Sequence, residues 1–229
     1  MAGFDLIIFD CDGVLVDSEI IAAQQEAKLL SEAGYPIDAG EFAERFAGMT
    51  WKEILLSVEK EAGLPLQANL LEKPEKILDA KLARDVKGIA GVLPAVASID
   101  IARCVCSNSK PHRIEAMLKR AGTLDLFAPH IFSALMVGDG RPKPAPDVFE
   151  HAAEQMNADP AKTLVLEDSV HGVTGARAAG MRVVGFTGAS HTYPAHSDRL
   201  TDAGAETAIN RFSDLPAVVE ALAEWSPLS

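Results

Sequence analysis

Leu6-Ile7-Ile8-Phe9 is a short, unbroken apolar run set between Asp5 and Asp10. Apolar, β-branched and aromatic residues over so few positions predict a strand buried on both faces, as in a parallel sheet. The pattern then turns helical, with Ile20, Ala23, Ala27 and Leu30 on one face behind Ser18, a residue type favoured at N-caps. Gly34 and Pro36 end that helix. Asp38 with Glu41, and Thr50 with Glu53, have capping-box spacing and are expected to open two more helices. Ile54, Leu55 and Val58 continue the second of these, which Gly63 and Pro65 break. A further helix is expected from near Pro74 towards Arg84. No strand pattern interrupts residues 19–85.

Gly88, Gly91 and Pro94 mark a change of regime, after which apolar runs and helical patterns alternate. Ala102 to Cys106 reads as a strand ending at Ser107. A helix follows from Pro111, favoured in a first turn, to Gly122. His130-Ile131-Phe132 is a brief strand, and a helix starts near Asp147, which is expected to cap it. Thr163 to Leu166 is a strand ending at Glu167-Asp168. A small-residue helix spans Gly172 to Ala179, stopped by Gly180, and Arg182 to Phe186 is another strand. Leu215, Val218, Val219 and Leu222 have helical spacing, with Pro216 in the first turn. Such alternation predicts an α/β fold: a Rossmann-like, mostly parallel sheet with helices on both faces. Residues 1–17 and 86–229 would form this core, and 18–85 a helical cap over the carboxyl edge of the sheet.

Composition narrows the choice of partners. Of 229 residues, 48% are hydrophobic, enough for a sizeable core. No apolar run approaches the roughly 20 residues of a membrane span. The N-terminus lacks a basic region and a cleavable apolar segment, so a cytoplasmic protein is expected. Cys11, Cys104 and Cys106 have no zinc-like spacing with histidines and are expected to be reduced, buried thiols. A net charge of −12 argues against a nucleic-acid or anionic-membrane partner and is compatible with a soluble monomer. It also means that any anionic substrate must be accommodated by local charge.

The candidate chemistry sits at predicted strand ends, where ligands gather in open α/β sheets. Asp10 and Asp12 follow the first strand, with Gly13 supplying a turn. One carboxylate is a nucleophile for phosphorus; the second, feeling its charge, is expected to have a raised pKa suited to proton transfer. On this stretch alone, an ordinary strand end with solvated aspartates fits as well. Ser107-Asn108 offers a hydroxyl and backbone N–H groups to phosphate oxygens. Lys143, in Lys143-Pro144-Ala145-Pro146, is a cation on a stiffened loop. Glu167-Asp168 supplies hard oxygen ligands of the kind Mg²⁺ prefers. His171, Arg141 and Asp147 read as structural.

These residues form a pattern. Asp10-Cys11-Asp12-Gly13-Val14-Leu15-Val16-Asp17-Ser18 resembles the signature of the haloacid dehalogenase superfamily in its phosphatase form, D-x-D-G-x-[LV]-x-D-S. Ser107, Lys143 in its K-P-x-P setting, and Glu167-Asp168 resemble the second, third and fourth motifs, in order. The resemblance covers the core; the insert matches in position and helical type. It implies an Mg²⁺-dependent phosphatase acting through an aspartyl-phosphate. Asp10 would be nucleophile, Asp12 acid and base, and Ser107, Asn108 and Lys143 the phosphate grip. Asp10, Asp12 (through its main chain), Glu167 and Asp168 would hold the metal. Charge supports the cation independently: two unit charges 4 Å apart near a protein surface cost about 4 kcal/mol, and Lys143 alone cannot offset four carboxylates and a phosphate.

Substrate choice would rest with the insert, where Gly48-Met49-Thr50-Trp51-Lys52 resembles a specificity loop. Phe9-Asp10-Cys11-Asp12-Gly13 and Arg45-Phe46-Ala47-Gly48 are similar to 6-phosphogluconate phosphatase-type members, implying a sugar phosphate or sugar-acid phosphate. A β-phosphoglucomutase-like mutase is the alternative, against which Ala22 and Trp51 stand where it would carry His and Arg. A dehalogenase would lack Asp12. A phosphonatase would need a cap lysine, for which Lys28 and Lys52 are the candidates. A phospho-accepting regulatory module would carry neither the Asp10/Asp12 spacing nor the insert.

Overall fold

A computed structural model describes residues 3–46, 49, 51–66, 70 and 74–225. The expected first strand is β1 (Leu6–Phe9), followed by helices α1 (Glu19–Glu32), α2 (Ala39–Arg45), α3 (Trp51–Ala62) and α4 (Pro74–Asp85). Then come α5 (Val92–Ala97), β2 (Ala102–Ser107), α6 (Pro111–Ala121), β3 (Ile131–Ser133), α7 (Asp147–Gln155) and β4 (Thr163–Glu167). The chain closes with α8 (Val170–Ala178), β5 (Arg182–Phe186), α9 (His196–Asp202), β6 (Thr207–Ile209) and α10 (Leu215–Glu224).

The six strands form one parallel sheet in the order β3-β2-β1-β4-β5-β6. β1 is central: Ile8 stands between Cys104 of β2 and Val165 of β4. The chain order reverses at β1 and β4, so the switch point of the sheet lies at their carboxyl ends. Alternate residues of β1 feed opposite faces. Ile7 and Phe9 join a core with α5, α6 and α10, and Leu6 and Ile8 one with α7, α8 and α9. All three cysteines are buried and unbridged.

Among the described residues, those from 19 to 85 form helices and no strand, as expected, and have a cluster of their own, including Ala27, Leu30, Phe42, Leu55 and Val58. α4 behaves differently. Its Leu78 and Leu82 pack into the sheet core, and its Asp79 accepts from Arg113 Nε (2.5 Å) on α6 and approaches His112 Nε2 at 3.0 Å. α4 is therefore packed into the sheet core and bonded to α6.

Two expected caps differ. Ser18 stands at the N-cap of α1 but makes no side-chain cap bond; its hydroxyl donates to Asp12 Oδ1 at 2.8 Å. A carboxylate is the stronger acceptor, so the helix end yields its cap to the site. Asp147 does not cap α7: Pro146 occupies that position, and Asp147 accepts from Arg141 Nη2 at 2.6 Å. Asp38 does cap α2, accepting from the amides of Gly40 and Glu41.

Candidate active site

β1 ends at Phe9, and a tight turn follows. Gly13 adopts φ +73°, and its amide donates to Val16 O at 2.8 Å. The absent side chain matters as much as the backbone freedom: a Cβ on Gly13 would lie 1.7 Å from Asp168 Oδ2. The turn thus brings the end of β1 against the end of β4. Gly172 plays the matching part on α8, where a Cβ would come within 1.9 Å of the Glu167 carboxylate.

Lys143 is the hub. Its buried ammonium donates to Asp10 Oδ1 (2.5 Å), Glu167 Oε1 (2.5 Å) and the Cys106 carbonyl (2.8 Å), which uses all three of its N–H groups. Its backbone is held by Asn108, whose Oδ1 accepts from the Lys143 amide at 2.8 Å. Asn108, expected in the phosphate grip, here positions the lysine loop. Glu167 is fully engaged, its second oxygen accepting from the Ser169 amide (3.2 Å) and hydroxyl (3.0 Å).

Asp12 is met by three hydroxyls. Ser18 Oγ reaches Oδ1, while Ser107 Oγ (3.0 Å) and Ser109 Oγ (2.9 Å) share Oδ2. Ser107, expected to meet phosphate, here donates to Asp12. Neither Ser18 as a side-chain partner nor Ser109 was anticipated; a serine two residues beyond a motif position carries no signal of its own.

Ligand oxygens of Asp10, Glu167 and Asp168 lie within 4.8 Å of one another, and all three residues are buried. Burial pushes the Asp10 carboxyl well up; Lys143 opposes this, and Glu167, Asp168 and Asp12 reinforce it. Burial likewise raises Asp168, with Glu167 adding and Lys143 opposing. Burial alone would lower Lys143, but Asp10 and Glu167 outweigh it and hold the ammonium charged. One ammonium among four carboxylates leaves an excess of negative charge in a buried space. That donor set, all hard oxygens, fits a divalent cation of the Mg²⁺ type.

Two acids on α1 were also unanticipated. Glu19, in the first turn, is pushed up to about 7 by loss of hydration and then by Asp12 and Asp168. Half-buried Glu26, seven residues on along the same helix, is pushed up to about 8, by burial and then by Glu19. In the insert, Gly48 and Thr50 lie outside the described residues. Trp51 donates its indole N–H to the Leu70 carbonyl at 3.0 Å and packs against the helical cluster, while Lys52 is exposed. Trp51 is thus anchored within the insert. His171 is exposed.

The arrangement joins a strand-end carboxylate pair, a buried lysine and an acidic trio at the switch point of a parallel sheet. Residues 4–180 match the haloacid dehalogenase-like hydrolase family. The 6-phosphogluconate phosphatase of Escherichia coli K12 is 30% identical over 205 residues, spanning 88% of this chain and 90% of its own. A phosphorylated carbohydrates phosphatase of Thermotoga maritima is 28% identical over 183 residues, 77% of this chain and 82% of its own. Among solved structures, a haloacid dehalogenase-like protein of unknown function from Agrobacterium tumefaciens C58 is 64% identical. It superposes with a TM-score of 0.92 over 96% of this chain and all of its own. A family hydrolase from Deinococcus radiodurans R1, with bound phosphate and sodium, is 32% identical, with a TM-score of 0.82 over 97% of this chain and 98% of its own. The chain belongs to the haloacid dehalogenase-like hydrolase family. Within it, this is an enzyme of the phosphatase type.

Proposed function

We propose that the chain hydrolyses small-molecule phosphate monoesters, with a sugar phosphate or sugar-acid phosphate as substrate, through an aspartyl-phosphate on Asp10. The carrying observation is the buried convergence of Asp10, Lys143, Glu167 and Asp168 at the β1/β4 switch point. The E. coli and T. maritima relatives support the sugar-phosphate class.

In this reading an Asp10 oxygen attacks phosphorus as the ester P–O bond breaks. Asp12 gives its proton to the leaving alkoxide, then takes one from the water that attacks the phosphorus of the aspartyl-phosphate. Phosphate leaves and Asp10 is restored. The hydroxyls of Ser18, Ser107 and Ser109 hold Asp12 in place for both transfers. Lys143 neutralises Asp10 and Glu167 and faces the incoming phosphoryl oxygens as a point charge. Mg²⁺, held by Asp10, the Asp12 main chain and Asp168 with Glu167 beside them, would offset the combined negative charge of carboxylates and phosphoryl group. Positioning and electrostatics carry most of such a reaction. Residues 18–85 act as the cap that closes over the substrate, and the enzyme works as a cytoplasmic monomer.

The test is phosphate release from sugar phosphates, sugar-acid phosphates, phosphoglycolate and nucleotides, with Mg²⁺ and with EDTA. Metal-dependent release from the sugar-derived subset is expected. Release confined to nucleotides would overturn the substrate class, and no release from folded protein would overturn the activity.

A further inference from the structure

His191, in the loop between β5 and α9, and His196, the first residue of α9, both close on Asp168. His191 Nε2 stands 3.2 Å from Asp168 Oδ2, and His196 Nε2 lies 2.6 Å from the Asp168 carbonyl oxygen. A carbonyl oxygen only accepts, so His196 carries its proton on Nε2 and donates it. This loop and the start of α9 therefore grip one aspartate by both its side chain and its backbone.

The loop is itself tied down. The Ser190 amide donates to Asp17 Oδ1 at 3.1 Å, and its hydroxyl donates to the other Asp17 oxygen. Tyr193 stacks on His196 with ring centroids 4.7 Å apart, and His191 meets His196 edge-on at 5.5 Å. Asp17 belongs to the turn after β1, so the first and fourth motifs are joined through this loop. Space is kept for it: a Cβ on Gly13 would come within 2.8 Å of His191 Cε1.

We propose that His191 is a positioning residue for the divalent cation: it holds the Asp168 carboxylate in the rotamer that presents its other oxygen to the metal. The inference rests on the reading that Asp168 is a metal ligand. It follows from a general rule. A ligating carboxylate with a free rotamer loses entropy on binding, whereas one already held by a neighbour does not, and such neighbours typically contribute about 10–100-fold in metal affinity. His196 supports the same aspartate from behind, at the main chain.

Titration calorimetry of the metal-free full chain with Mg²⁺, and separately with Mn²⁺, tests this without recourse to turnover. His191→Ala is expected to weaken binding of both ions about tenfold or more. His191→Gln, whose amide N–H reaches a carboxylate, is expected to recover part of the loss. His171→Ala, at an exposed histidine close to Asp168 in sequence, is expected to bind as wild type does. Unchanged Mg²⁺ affinity in His191→Ala, or tighter binding, would overturn the proposal. So would a loss confined to Mn²⁺, which would make His191 a direct nitrogen ligand. If His191→Ala does not fold, His191→Phe, which keeps an aromatic ring but donates no hydrogen bond, takes its place: a loss of about tenfold or more in Mg²⁺ affinity is expected, and an affinity equal to that of wild type overturns the proposal. Because affinity is the readout, failure here leaves the phosphatase reading standing, and absence of phosphate release leaves this result interpretable.

Discussion

Lys143 Nζ lies 2.5 Å from Asp10 Oδ1, although 133 residues separate the two in sequence. The side chains are almost fully enclosed, so neither charge has water to fall back on. Removing one partner of a buried pair costs about 3–5 kcal/mol, because the other is left uncompensated. Lys143→Met is expected to lose at least about 3 kcal/mol in denaturant unfolding of the metal-free protein. Lys143→Arg is not expected to rescue it, since a planar guanidinium cannot reproduce three bonds from one nitrogen. Stability within about 0.5 kcal/mol of wild type in Lys143→Met would contradict the arrangement.

Ser109 gives a cleaner separation of chemistry from folding. Its hydroxyl is one of two on Asp12 Oδ2. A hydrogen bond to a charged group contributes about 1.5 kcal/mol, which corresponds to about tenfold in rate if felt at the transition state. Ser109→Ala is expected to lower kcat by about that factor and to leave Mg²⁺ affinity unchanged. Steady-state kinetics with a metal titration checks both; an unaltered kcat would remove Ser109 from the support of Asp12.

Glu26 predicts a pH dependence of stability. Its carboxyl sits at about 8 in the folded chain, raised by burial and then by Glu19, with Arg113 opposing. In the unfolded chain a glutamate titrates near 4.3. Between those values the folded state keeps a proton that the unfolded state has lost. The associated stability is present in full below the unfolded value and is lost as pH rises through the folded one. Glu26→Gln is expected to raise Tm at pH 8, to leave it little changed at pH 4, and to flatten the profile between. A Tm difference that does not depend on pH would contradict this.

Much of this geometry was legible in the sequence because it lies on strands with strong signals. Leu6 to Phe9 and Leu164 to Leu166 are continuous apolar runs followed by acids, and the parallel sheet brings those ends together. Lys143 was legible from its prolines. The rest had weaker local signals. β6, Thr207–Ile209, is two half-buried residues and one buried residue at the sheet edge, too short to show a period. α5 was hidden by Pro94, which reads as a breaker but is tolerated in a first turn. The attachment of α4 to the sheet depends on the tertiary environment of Leu78 and Leu82, which helical spacing alone does not reveal. His191 and His196 lie in or just after a polar loop, and only folding brings them to Asp168.

The most direct test compares wild type with Asp10→Asn in phosphate release from the best sugar-phosphate substrate, each with Mg²⁺ and with EDTA. An essential nucleophile is expected to cost about 10⁴-fold or more in kcat. The account predicts release by the wild type that stops with EDTA, and no measurable release by Asp10→Asn. Appreciable Mg²⁺-dependent release by Asp10→Asn, or wild-type release that EDTA leaves intact, would contradict it.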